Sequence, residues 1–132
     1  HLAHWFTVDD LNHLKRGGRV SGAVAFFGTM LGIKPVLHVD DEGHLIPMEK
    51  VRGRRQSLDA LVKHMSTTAK LENAKTVFIS HGDCQEDAEY VADQVREKFP
   101  GTKVYINMIG PVIGAHSGPG TMALFFMAEN KY

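Results

Sequence analysis

Apolar positions along this chain recur at two periods, and the switches between them mark out the elements. HWFTV at residues 4–8 is aromatic and β-branched and predicts a strand. Asp9 and Asp10 then offer helix N-caps before LNHLKRGG, in which Leu11 and Leu14 share a helical face and two glycines supply the stop. SGAVAFFGTMLG, residues 21–32, is small and apolar with internal glycines, which predicts a buried, closely packed helix. IKPVLHVD and HLIPMEKV flank the turn signal DEG and predict a β-hairpin, with Pro35 and Pro47 pushing both strands toward sheet edges or irregular pairing. In SLDALVKHMSTTA, Leu58, Leu61, Val62 and Met65 fall on one face of a helix for which Ser57 is the expected N-cap.

The clearest unit is KTVFISHGDCQEDAEYVADQVREKFPGTKVYINMIG. It predicts a strand over Thr76–Ser80 and a helix capped by Asp83, with Glu86 three residues on. That helix carries Ala88, Val91, Ala92, Val95 and Phe99 on one face and is ended by Pro100 and Gly101. A strand over Lys103–Met108 follows, so the unit reads as a right-handed βαβ with two parallel strands. TMALFFMA supplies a last strand. The sum is a two-layer α/β domain, a mixed β-sheet covered by helices.

Composition narrows the function classes. With 132 residues, 43% of them hydrophobic, the chain is sized for one domain with its own core. Fifteen basic residues balance fifteen acidic ones, so no net field would hold the protein on nucleic acid or an anionic membrane. The single cysteine, Cys84, excludes an intrachain disulfide and any multi-cysteine zinc site, which fits a reducing compartment. No run approaches the roughly 20 apolar residues that span a bilayer, and no charged-then-apolar leader opens the chain. A cytoplasmic protein is expected, and the non-methionine start suggests a piece of something longer.

The most distinctive stretch is GAHSGPG, residues 114–120, read as a loop that wraps glycines around one imidazole. It serves either as a tight connection with His116 bonded locally, or as a ligand pocket with an apolar wall and one polar handle. Its spacing matches neither the lysine-bearing phosphate loop nor the dinucleotide fingerprint. His81 ends a strand in SHGD, where open α/β sheets place ligands, although a histidine bonded to its own loop or to Asp83 is the plainer expectation. His38 is expected half-buried in the hairpin and His44 solvated in its turn. Eight histidines include no HExxH and no helical pair at ligand spacing, so no metal site is expected. Cys84 stands at a helix N-terminus that favours a thiolate, but Asp83, Glu86 and Asp87 oppose it, and an inert thiol is expected. Two basic clusters remain, Lys15, Arg16 and Arg19 in LKRGGR, and Lys50, Arg52, Arg54 and Arg55 in EKVRGRR. Arg19, between glycines and VSG, suits a carboxylate or phosphate, and the second cluster suits an acidic partner.

DDLNHLKRGGRVSG, GTMLGIKPVLHVDDEGHLIPMEKVRGRR and IGPVIGAHSGPGTMALFF, in this order and at these separations, resemble the C-terminal domain of the DegV family of fatty-acid-binding proteins. The resemblance covers essentially the whole chain, residues 1–132 as one domain, with the family's N-terminal domain absent. It implies a carrier that encloses a long-chain fatty acid between two domains and presents its carboxylate to a separate fatty acid kinase, with no catalysis and no cofactor of its own. It places His116, Arg19 and Ser117 at the head group and Arg52, Arg54 and Arg55 toward the kinase or the acyl phosphate. Phe26, Phe27, Met30, Leu31, Ile109, Val112 and Ile113 become candidates for the acyl tail or the interdomain contact, with plain core as the competing role. The resemblance also implies that this domain alone exposes an apolar face. Two other classes stay open: an acyl-phosphate or ester-processing enzyme using His116 as general base with Ser117 or Arg19 assisting, and a protein-interaction domain without ligand.

Overall fold

The computed structural model describes residues 1–19, 32–69, 72 and 75–129. The expected helix over 21–32 lies almost wholly outside the described residues, as do Phe26, Phe27, Met30 and Leu31. Six strands form one mixed sheet: β1 (Leu2–Thr7), β2 (Ile33–Val39), β3 (Leu45–Arg52), β4 (Thr76–His81), β5 (Lys103–Met108) and β6 (Met122–Met127), in the order β3-β2-β1-β6-β4-β5. Only β4 and β5 run parallel; the other neighbours are antiparallel.

Four helices are described: α1 (Asn12–Arg16), α2 (Arg54–Thr68), α3 (Gln85–Lys98) and α4 (Pro111–Ser117). α2 and α3 cover one face. Their predicted stripes, Leu58, Leu61, Val62 and Met65 with Ala88, Val91, Ala92, Val95 and Phe99, are buried against Trp5, Val36, Val77, Ile79, Leu124 and Phe126. On the opposite face a smaller cluster of Phe6, Val8, Leu14 and Leu37 holds α1 at the β1–β2 end. Nothing among the described residues covers the rest of that face.

The hairpin forms as read, and the prolines leave their marks. Pro47 lies on the edge strand β3 beside a bulge, since Val36 pairs Glu49 while the next residue, Leu37, pairs Pro47. β2 is an interior strand, but its ladder with β1 stops at Val36, and the Pro35 carbonyl instead accepts the Thr7 hydroxyl at 2.6 Å.

All three predicted helix caps are corrected. α1 has Leu11 at its N-cap position rather than Asp9 or Asp10, although Asp10 Oδ1 accepts the Asn12 N–H at 2.9 Å. α2 begins at Arg54, so Ser57 sits inside its first turn, fully buried, with its hydroxyl donating back to the Arg54 carbonyl at 2.7 Å. α3 has Cys84 at the N-cap position, while Asp83 takes a left-handed φ of 56° and points outward. The left-handed backbone at Asp83 leaves its carboxylate exposed, while the His81 Nδ1 accepts the Cys84 N–H at 3.0 Å and fixes the turn into the helix.

Candidate functional site

Three stretches distant in sequence meet at one end of the sheet: the β4–α3 turn, the α4–β6 turn and the C-terminal end of α1. Gly82 N–H donates to the Thr121 carbonyl at 2.8 Å, and Gly120 N–H donates to the Gly82 carbonyl at 2.7 Å, so backbone bonds tie the first two. α1 packs against α4 and completes the group.

The stretch expected as a loop around His116 is instead a short helix followed by a turn. Residues 111–117 are helical, with Pro111 in the first turn where its missing N–H costs nothing. Only the GPG that follows is a turn. His116 therefore stands in the last turn of α4, and its Nδ1 lies 2.7 Å from the Val112 carbonyl one turn back. A carbonyl only accepts, so Nδ1 carries a proton, and Nε2 is the ring atom left for other partners. The imidazole is seated on Gly17: a Cβ there would lie 2.5 Å from His116 Cδ2, closer than side chains approach. Arg19 Nη1 donates to the Gly17 carbonyl at 2.5 Å. The GGR and GAHSGPG motifs thus meet at Gly17, against which the imidazole is seated and to whose carbonyl the guanidinium donates.

Ser117 is buried and donates its proton to the Ile113 carbonyl at 2.9 Å, so in this rotamer it offers a ligand only acceptor capacity. Val112 and Ile113, by contrast, are 71% and 65% exposed on the same helix, and Ile109 is half-buried. An apolar ridge therefore starts one turn from the His116 ring.

A second apolar surface escaped the sequence reading. On the face opposite α2 and α3, Phe78 and Tyr105 are exposed and stacked with ring centroids 5.3 Å apart. Phe78 pairs in register with Phe125, which meets the His4 ring edge-on at 5.5 Å. The resulting row crosses β5, β4, β6 and β1. Its signal was the unbroken apolar run Val77-Phe78-Ile79, the mark of a strand with apolar side chains on both faces.

The remaining candidates are engaged within the chain. His81 is buried, and with Nδ1 accepting from Cys84 its Nε2–H donates to Gln85 Oε1 at 2.9 Å, the local bonding expected of a strand-end histidine. His38 is buried rather than half-buried, tilted against Trp5, while His44 is exposed and faces Asp40. Burial pushes the Cys84 thiol up, outweighing the nearby Arg54 cation, so the sulfur stays protonated near neutrality. In the basic cluster, Arg54 is paired with Asp87 at 3.0 Å and Arg55 lies over the Tyr90 ring at 3.9 Å, leaving Arg52 as an exposed cation beside them. Among the described residues no group of three or more His, Cys, Asp or Glu side chains could hold a metal ion, and no helix is long and apolar enough to cross a membrane.

Residues 1–129 match the family described as "Uncharacterised protein, DegV family". A DegV domain-containing protein of Clostridium perfringens is 48% identical over 130 residues, which is 98% of this chain and 45% of that protein. The structure of a fatty acid binding DegV family protein from Streptococcus agalactiae superposes with a TM-score of 0.80 at 32% identity, over 98% of this chain and 45% of the other. The Streptococcus pneumoniae Fatty Acid Kinase (Fak) B3 protein, loaded with linoleic acid, shares the fold, with a TM-score of 0.84 at 17% identity over 97% and 45% of the two chains. The chain spans about half the length of these relatives.

Proposed function

This chain belongs to the DegV family, and on that premise we propose that it is the C-terminal half of a noncatalytic fatty-acid carrier. In this reading His116 and Arg19 receive the carboxylate at the α1–α4 junction, with the buried Ser117 oxygen behind them. The acyl tail, or the second domain that encloses it, lies against Val112, Ile113 and Ile109 and the aromatic row of Phe78, Tyr105 and Phe125. Each methylene taken from water contributes about 0.8 kcal/mol, so a tail of ordinary length dominates affinity while a few donors fix the head group. Phe26, Phe27, Met30 and Leu31 stay on the same list by resemblance.

The observation that carries this reading is the convergence on Gly17 of an imidazole and a guanidinium, one helical turn from exposed aliphatic side chains. A long-chain carboxylate needs that pairing of cationic and apolar surface. Presentation to a kinase is the finer part of the proposal. It rests on the family resemblance and on Arg52, with Arg54 and Arg55 shaping the basic strip beside it.

Organic extraction and mass spectrometry of the complete protein, purified without added lipid, test the reading. A fatty acid near one equivalent is expected, with His116→Ala lowering it on the order of tenfold, about what one charge-assisted hydrogen bond contributes. Recovery of no lipid, together with no uptake of added oleate, would remove the carrier reading. Hydrolysis of an acyl phosphate or ester that disappears in His116→Ala would put the enzymatic reading in its place.

A further inference from the structure

α1 and α4 are joined by two reciprocal contacts of the same kind. His116 of α4 sits against Gly17 at the end of α1, where a Cβ would come within 2.5 Å of its ring. His13 of α1 sits against Gly118 just beyond α4, where a Cβ would lie 2.6 Å from ring atoms Cγ and Cδ2. His13 and Gly17 are four apart and share one face of α1. His116 and Gly118 bracket the C-terminal end of α4. Each imidazole occupies the space its opposing glycine leaves open. The His13 ring braces the turn that ends α4, and the His116 ring faces the end of α1 that carries Arg19.

We propose that His13 is a positioning residue for the head-group site: its ring holds the end of α4 so that His116 keeps Nδ1 on the Val112 carbonyl and presents Nε2 beside Arg19. This rests on the carrier reading for its ligand but not for its geometry. Packing of a flat ring, rather than the His13 nitrogens, performs the role.

Histidine-selective NMR and oleate titration of the complete protein separate the possibilities. In the wild type, His116 shows the Nδ1–H tautomer. His13→Ala is expected to mix its tautomers and weaken oleate binding on the order of tenfold, and His13→Phe to restore both. Gly17→Ala provides the second variant. Its backbone, with φ near −80°, accepts alanine without strain, so the fold persists while the His116 ring is displaced and its resonances move. Unchanged His116 signals and affinity in both His13→Ala and Gly17→Ala would overturn the inference. So would loss in His13→Ala without rescue by phenylalanine, which would make His13 a direct ligand contact. If the wild type takes up no oleate, the carrier reading fails, and the His116 tautomer in the variants still decides for or against the positioning role.

Discussion

The His116 ring gives its one committed proton to the Val112 carbonyl, and this fixes what it can do for a ligand. With Nδ1 committed to that carbonyl, Nε2 is the ring atom left to face a head group. Calorimetry of oleate binding to the complete protein is expected to show weaker binding in His116→Ala; unchanged affinity would show that the head group is held another way. The histidine itself stood out in the sequence because glycines surround it. Its tautomer did not, since the carbonyl it bonds is set by the helix that residues 111–117 form.

At the scale of elements, sequence and structure agree where a turn signal or a side-chain period decides the element, and differ where local polar groups compete for a helix start. The β2–β3 turn shows the first case. Asp40 Oδ1 accepts the Glu42 and His44 N–H groups at 3.0 and 2.8 Å, and the His44 backbone bond is the main cause of a carboxyl held below its ordinary 3.8. A lowered folded value means the turn prefers the ionised form. The contribution is complete above 3.8 and is lost as pH falls through the lower folded value. Asp40→Ala is expected to speed amide exchange at Glu42 and His44 severalfold while leaving the global melting temperature nearly unchanged; exchange as slow as in the wild type would show that the backbone alone holds the turn. The caps illustrate the second case. Serine and aspartate at 57 and 83 satisfy the rules for an N-cap, yet Ser57 falls inside α2 with its hydroxyl donating to the Arg54 carbonyl, and the left-handed backbone at Asp83 leaves Cys84 as the cap of α3.

Across the whole molecule, the two faces of the sheet differ, and that asymmetry carries the functional argument. One face is closed by α2 and α3. The other is closed only near β1 and β2 among the described residues and presents the aromatic row elsewhere. Substitution of Phe78 and Tyr105 together by serine should cost less than truncation of a core residue, because both rings are already half exposed, while sharply lowering binding of a hydrophobic dye to this chain. By contrast Leu61→Ala, in the closed face, should cost about 2–5 kcal/mol in denaturant titration; a comparable loss in the Phe78/Tyr105 variant would make the row part of the core. The elements with strong period and the mixed α/β class were legible in the chain, because side-chain periodicity and turn residues are local properties; the family was legible as a resemblance of three ordered blocks, which include the two motifs bearing histidine and arginine. Folding in three dimensions set the rest: Gly17 lies where GGR and GAHSGPG meet, Ser117 donates its proton to its own helix, Arg54 pairs with Asp87, Arg55 lies over the Tyr90 ring, and Phe78 faces outward. Those outcomes depend on which segments the sheet order brings together, and contact between residues a hundred positions apart leaves no trace in the spacing of either.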